Sequence, residues 1–153
     1  MTVTTSIIVA VKDAGALLRR LMAATAGAGL EATEVVVIDG ASSDGTASWL
    51  ESAAPGGRSG LLSWESSKDS GIAEAWNRGV ARARGDWLIF LGADDRVIDA
   101  AAWRAAVEMC RRMPASCGVA AFPVRIVAPS GAALADVSVS YTHLRAHETR
   151  EDL

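Results

Sequence analysis

The sequence predicts an α/β domain built on a mostly parallel β-sheet with helices on both faces. Three observations carry this. Short β-branched runs alternate with amphipathic segments along the chain. The runs are apolar at consecutive positions, as expected of strands buried on both faces. Polar loops rich in Gly, Ser and Asp follow the strands, at the end of the sheet where such folds bind ligands.

The elements follow in order. Ser6-Ile7-Ile8-Val9-Ala10-Val11 reads as a buried first strand. Ala14 to Ala28 is an amphipathic helix with Leu17, Leu18, Leu21, Met22 and Thr25 on one face, ended by Gly27-Ala28-Gly29. Glu34 to Asp39 is a second strand, Gly40 to Gly45 a loop, and Thr46 to Ala53 a short helix broken by Pro55-Gly56-Gly57. Leu61 to Glu65 is a third strand, followed by the polar loop Ser66 to Ser70. A helix from Gly71 to Arg84 repeats Ile72, Ala75, Trp76, Gly79, Val80 and Ala83 at helical spacing, with Glu74 and Arg78 placed to pair. Trp87 to Leu91 is the clearest strand, and it delivers Gly92-Ala93-Asp94-Asp95. Asp99 is placed to cap a helix reaching about Arg112, with Pro114 beyond it. Val119 to Val127 is a last strand, interrupted by Pro123 as an edge or bulged strand would be. Pro129-Ser130-Gly131 is a turn.

Length and composition bound the function. The 153 residues suit one domain, and 50% apolar with 22% charged residues is a globular composition. A formal charge of -3 argues against nucleic acid as a partner. No apolar stretch reaches bilayer-spanning length, and Met1 to Ser6 has no basic n-region. The expected location is the cytoplasm, or the inner face of the membrane as a peripheral protein. Cys110 and Cys117 match neither a redox nor a zinc spacing and read as buried or half-buried thiols. The five tryptophans read as packing residues.

The chain changes character at Val139. His143, His147 and Tyr141, the sole residues of their types, all lie beyond it. Residues 139–149 resemble the in-frame translation of a transposon-type sequencing-library adapter. The i, i+4 histidines are therefore not taken as metal ligands, and residues 139–153 are set aside as non-native. Removing two basic and three acidic residues leaves a charge of -2, so the argument about nucleic acid stands.

Chemistry should stand at the strand ends, and carboxylates recur there: Asp13, Asp39, Asp69, Asp94 and Asp95. Carboxylates gathered in one cleft repel unless a cation or protons compensate. Oxygen ligands near a diphosphate suit Mg²⁺ or Mn²⁺. Plainer readings stand beside this. Asp94-Asp95 also fits a solvated turn, Asp44 or Ser43 could cap the short helix, and Asp69 could be a loop residue. Gly27-Ala28-Gly29-Leu30-Glu31-Ala32 matches a dinucleotide fingerprint but follows a helix, so its context is wrong. There is no P-loop, and no G-x-S-x-G elbow with a histidine before residue 139.

The ordered set resembles family 2 glycosyltransferases. Val35-Val36-Val37-Ile38-Asp39-Gly40-Ala41-Ser42-Ser43-Asp44-Gly45-Thr46 is similar to their second-strand motif. Lys68-Asp69-Ser70-Gly71-Ile72-Ala73-Glu74-Ala75-Trp76-Asn77-Arg78-Gly79 resembles their helix entered through Asp-x-Gly-Ile. Gly85 to Asp95 resembles the strand carrying their D-x-D motif. The resemblance implies a GT-A fold, a Rossmann-like nucleotide-sugar domain, here in residues 1–138 and incomplete at the C-terminus. It implies inverting transfer of a sugar from a nucleotide diphosphate donor to a saccharide or lipid-linked acceptor. It implies that Asp39 faces the base and ribose, that Asp69 supports the donor pocket, and that Asp94 binds the divalent cation with Asp95 beside it.

Three departures stand out. Gly92 replaces the first D-x-D carboxylate, Gly40 replaces a second Asp after the second strand, and Lys12-Asp13 replaces an aromatic followed by Asn. Ile-Asp-Gly resembles enzymes of bacterial surface polysaccharide synthesis. The family's general base lies in a downstream acceptor half, so a donor-binding part of a truncated frame is expected. Two alternatives are a nucleotide-sugar-binding fragment without turnover and a sugar nucleotidyltransferase. The second is disfavoured because Val11 to Gly15 offers one lysine and one glycine for a phosphate loop. The genomic DNA around codon 139 tests the truncation: the frame should leave the adapter-like sequence there and continue into an acceptor half.

Overall fold

The computed structural model describes residues 3–27, 32–95, 99–114, 116–120, 124–128, 132–137 and 143–145. Strands β1 (Thr5–Val11), β2 (Thr33–Asp39), β3 (Arg58–Ser59), β4 (Leu62–Ser66) and β5 (Trp87–Gly92) form one sheet with β6 (Val119–Ala120) and β9 (His143–Arg145). The order is β3-β4-β2-β1-β5-β9-β6. The β4-β2-β1-β5 block is parallel. β3, β9 and β6 pair antiparallel with their neighbours. β7 (Val124–Val127) and β8 (Ala133–Val137) form a separate antiparallel hairpin.

Alternation along the central strands sends side chains to two cores. Ile7, Val9, Val11, Val35, Val37, Ile89 and Leu91 pack on one face against Leu18 and Leu21 of α1 (Gly15–Gly27) and Leu50 of α2 (Thr46–Ala53). Ile8, Val36, Ile38 and Leu88 pack on the other against Ala75, Val80 and Ala83, contributed by α3 (Ile72–Arg82) and the residue after it. Both faces are covered, which is why the strands read as unbroken apolar runs. A smaller cluster joins Trp87 to Ala120 and to Cys110 of α4 (Ala100–Arg112). Cys110 is buried and Cys117 half-buried, and burial followed by the neighbouring Cys117 pushes the Cys110 thiol up to about 11. All five tryptophans pack against one of these clusters, Trp87 being fully buried. Asp99 caps α4 through Ala101 N–H and Ala102 N–H at 2.8 and 3.0 Å.

The amino end of the sheet is held by a buried carboxylate. Glu34 accepts from Ser6 Oγ (2.7 Å) and from Arg84 Nε (2.8 Å) as well as from the Arg84 amide. Desolvation would raise its pKa, but these donors outweigh it and keep the group below its usual range. Gly85 N–H donates to Ser6 Oγ, so the entry to β5 is tied to β1.

The carboxyl end is held by two loop staples. Asp44 accepts from Thr46 Oγ1 (2.5 Å) and Thr46 N–H (3.0 Å), and its second oxygen accepts from Gly15 N–H at 2.9 Å. One carboxylate thus serves the first turns of both α1 and α2. Asp13, at φ 49°, accepts from Ser43 N–H at 2.6 Å while its own amide donates to Ser42 Oγ at 2.8 Å.

Several expectations need correction. Arg78 pairs with Glu65 of β4 at 2.6 Å, and Arg82 joins it at 2.8 Å. Glu74 turns back to accept from Ser70 N–H and Oγ, a local N-terminal cap that competes with the i, i+4 pair. Leu17 and Ile72 are exposed, because the helix stripes that touch the sheet are narrower than the apolar periodicity. The expected strand from Val119 to Val127 is two strands in two sheets. Pro123 and Pro129 to Gly131 lie outside the described residues, as does most of the Gly27 to Ala32 fingerprint. β3, β8 and β9 had no counterpart in the sequence reading, and β9 lies within the segment set aside as non-native.

A Cβ on Gly79 would overlap Ile8 Cγ2, so α3 docks on β1 through the missing side chain. Gly79→Ala gains up to about 1 kcal/mol of helix propensity but overpacks the sheet at about 1–3 kcal/mol. The expected outcome is a lower urea midpoint, whereas exposed Asn77→Ala leaves it level or higher. Asp44 offers a pH test. Its pKa is held below 3.8, chiefly by the Thr46 hydroxyl and then the Gly15 amide. Its contribution is therefore present above that range and lost as pH falls through the depressed folded value. Asp44→Ala should lower Tm at neutral pH, and the gap to wild type should close below about pH 3.8.

Candidate functional site

The register fixes which residues meet above the sheet. Val11 pairs with Asp39, Asp39 with Ser66, and Ala10 with Gly92. The ends of β4, β2, β1 and β5 therefore stand side by side. Adjacent strands lie about 4.8 Å apart, so Asp39 and Gly92, two strands apart, are separated by roughly 10 Å. One extended ligand can touch both.

Asp39 is fully buried. One oxygen accepts from the Ser42 hydroxyl. The other accepts from Ser42 N–H at 3.1 Å and Ser66 Oγ at 2.5 Å. Its backbone carbonyl accepts from Ser67 N–H at 3.0 Å. Asp39 therefore sits beneath the rim and reaches it through Ser42 and Ser66. Its neutral partners satisfy hydrogen bonding without cancelling its charge.

Gly40 follows, buried, its amide donating to Val11 O at 2.9 Å. A Cβ there would stand 2.9 Å from Asp69 Oδ2 and 3.5 Å from Lys12 Cδ. Asp69 and Lys12 thus lean over Gly40 from different strand ends. Asp69 Oδ1 accepts from Gly71 N–H at 3.1 Å, which fixes the carboxylate ahead of α3. Asp69 is half-buried and Lys12 exposed.

At the β5 end the chain turns on an Asp95 N–H bond to Gly92 O at 3.1 Å. Asp95 Oδ2 accepts from Gly92 N–H at 2.8 Å, so this carboxylate shapes the turn. Asp94 is exposed, and its Oδ1 lies 2.6 Å from where a Gly92 Cβ would be. The sequence-predicted residues therefore form two groups: Asp39 and Asp69 around Gly40, and Asp94 and Asp95 around Gly92.

The donor set suits a cation of limited demand. Among the described residues no three His, Cys, Asp or Glu side chains gather as a metal cage. Asp94 presents a single exposed carboxylate with Asp95 beside it. Mg²⁺ and Mn²⁺ commonly accept one or two carboxylates and complete their shell with phosphate oxygens and water. The residues present fit that mode and do not fit an all-protein site.

Sequence reasoning missed the roles of Lys12, Asp13, Ser42 and Ser66. Asp13 and Ser66 act between loops 27 to 30 positions apart, beyond any local motif, whereas Ser42 reaches Asp39 from three residues on. Their position just past or at the ends of predicted strands was the available signal.

The comparisons agree with this geometry. The family model described as Glycosyl transferase family 2 matches residues 6–151. A PGL/p-HBAD biosynthesis glycosyltransferase of Mycobacterium bovis (strain BCG / Pasteur 1173P2) is 42% identical over 67 residues, 44% of this chain and 26% of that protein. An uncharacterized glycosyltransferase of Mycobacterium tuberculosis (strain CDC 1551 / Oshkosh) is 41% identical over 63 residues, 41% of this chain and 22% of that protein. The match thus spans about a quarter of the length of these relatives. The crystal structure of S. aureus TarS 1-349 in complex with UDP-GlcNAc has a TM-score of 0.64 at 15% identity, covering 97% of this chain and 47% of that one. The mannosyltransferase PcManGT from Pyrobaculum calidifontis, in complex with GDP-Man and Mn²⁺, has a TM-score of 0.62 at 20% identity, covering 85% and 37%. These likenesses establish a GT-A fold, Rossmann-like and mostly parallel. No helix among the described residues is long and apolar enough to cross a membrane. With its family match running through nearly the whole sequence, the chain belongs to glycosyl transferase family 2.

Proposed function

We propose that this chain is the donor-binding part of an inverting family 2 glycosyltransferase, with residues 1–138 forming the nucleotide-sugar-binding unit and 139–153 a non-native tail. The observation that carries this is the level ending of β4, β2, β1 and β5 under two glycine-floored carboxylate groups. A nucleotide diphosphate sugar laid across these ends would have its base over Gly40 and its diphosphate toward Gly92. Asp94, with Asp95 beside it, would hold Mg²⁺ or Mn²⁺. The bound cation supplies charge neutralisation for the departing diphosphate. Asp39 supports the base and ribose side from beneath, through Ser42 and Ser66, and Asp69 stands directly on it.

The acceptor is proposed to be a saccharide or a lipid-linked sugar of bacterial surface polysaccharide synthesis. The resemblance of Ile-Asp-Gly supports this, and one relative is named for PGL/p-HBAD biosynthesis. The general base is assigned to the part of the relatives that this chain does not match. The protein would work in the cytoplasm or against the inner face of the membrane. Membership of family 2 leaves the sugar nucleotidyltransferase reading without support. A second reading keeps its place: donor binding without turnover, since no residue of this chain is assigned as the general base.

Calorimetric titration with UDP and GDP, with and without Mn²⁺, tests the reading. At least one diphosphate should bind at least tenfold more tightly with Mn²⁺, and Asp94→Ala should abolish that gain while retaining the fold. Binding indifferent to Mn²⁺ and to Asp94→Ala would overturn the metal assignment. Transfer to an acceptor by this chain alone would overturn the placement of the base.

A further inference from the structure

The donor reading uses nothing at the amino end of β5, and there two thiols share one small core. Cys110 lies in the last turn of α4, fully buried in a cluster with Trp87 and Ala120. Cys117 is half-buried and packs against the same cluster. Two hydrogen-bonded reversals bring the chain back between them. Met113 N–H donates to Cys110 O at 3.2 Å, and Cys117 N–H donates to Pro114 O at 2.9 Å. The chain therefore doubles back over the end of α4 before it enters β6. The Cys110 thiol is pushed up to about 11 by burial first and by the charge of Cys117 second, and the second cause requires the two sulfurs to be neighbours. Cys117 Sγ donates to Val119 O at 3.4 Å, a weak bond that a thiol gives up at little cost.

We infer that Cys110 and Cys117 are a disulfide-forming pair, an oxidative modification site that fastens the end of α4 to the turn leading into β6. The two thiols differ in access, which sets the order of the steps. An oxidant of the small-disulfide class, such as oxidised glutathione, meets Cys117 and cannot meet Cys110. The Cys117 thiolate attacks one sulfur of that disulfide, its S–S bond breaks, and one small thiolate leaves. The Cys110 thiol then loses its proton, and its sulfur attacks Cys117 Sγ and displaces the second small thiolate. Two protein thiols are oxidised, one small disulfide is reduced, and the two protons end on the departing thiols. Where glutathione is kept reduced, the same steps run backwards. A C-x-x-C spacing is not needed, because the two turns supply the proximity. The pair stands at the amino end of β5, whereas Asp94 follows its carboxyl end, so the inference is independent of donor binding.

The test incubates the reduced full chain with oxidised glutathione, quenches it in acid and digests it with trypsin without reduction. Arg111 and Arg112 stand between the two cysteines, so the peptides carrying them separate unless a disulfide joins them. The expected product is a single chain lighter by two hydrogen atoms, its two peptides joined and released again by dithiothreitol. In a glutathione redox buffer the disulfide should be favoured about tenfold or more in the folded chain over the chain in urea, since a bond that fits the fold stabilises it. Cys110→Ala should instead retain glutathione on Cys117, because no second thiol displaces it. A glutathione adduct that persists on Cys117 of the wild-type chain would overturn the inference. So would a disulfide between two chains, two thiols that stay free, or an equilibrium that urea leaves unchanged.

Discussion

The hydrogen-bond register of β2 on β1, and of β1 on β5, brings Asp39, Val11 and Gly92 to nearly one level at the carboxyl end of the sheet. Everything above the sheet depends on that. A slip of one residue in β2 would turn Asp39 to the opposite face and carry Val36 and Ile38 out of their core. Apolar burial, at about 25 cal/mol per Å², acts on ten buried side chains in one cluster and seven in the other, and the polar ends of β2 fix the register, since a slip would take Glu34 from Ser6 and Arg84 and Asp39 from Ser42 and Ser66. The polar rim inherits its precision from the apolar strands below it.

β2 carries a buried carboxylate near each of its ends, and the two are treated differently. Glu34 meets Arg84 and Arg58, so its charge is answered by cations within the protein. Asp39 meets only hydroxyl and amide donors. The amino end of the sheet is electrically closed, while the carboxyl end keeps its negative charge. Asp13, Asp44, Asp69, Asp94 and Asp95 stand in the loops at that same end. Structural ion pairs explain the first pole, while at the second Lys12 is the cation that leans in beside Asp69 over Gly40.

Much of the sheet was legible in the sequence. The four parallel strands and the four helices fall where their periodicity places them, because double-sided burial makes a strand continuous and a helix amphipathic. What was not legible depends on partners distant in sequence. Arg78 had a local candidate in Glu74, but β4 brought Glu65 within 2.6 Å and took the direct ion pair, leaving Glu74 a weaker Coulombic attraction to Arg78. Ile72 fits the apolar period of α3 and is nonetheless 58% exposed, while Gly79, two turns on, lies against Ile8. The short antiparallel strands β3, β8 and β9 have two to five residues each, too few for a period to register. At the site, the carboxylates were found by their position after strands. Which of them is buried was not, because Asp39 is enclosed by Ser42 and by Ser66 from β4, while Asp94 stays exposed on the turn that Asp95 closes on Gly92.

The two glycines that depart from the family pattern are best understood together. Gly40 stands where a second carboxylate could follow β2, and Gly92 where D-x-D would begin. Read in sequence alone, each is a lost ligand. In the fold each is a vacated space into which a neighbouring carboxylate has moved: Asp69 Oδ2 2.9 Å from the first missing Cβ, Asp94 Oδ1 2.6 Å from the second. An aspartate restored at either place would collide with the group already there and set two like charges in contact. Each glycine keeps a carboxylate beside it, delivered to Gly40 from the loop after β4 and to Gly92 from the residues directly after β5.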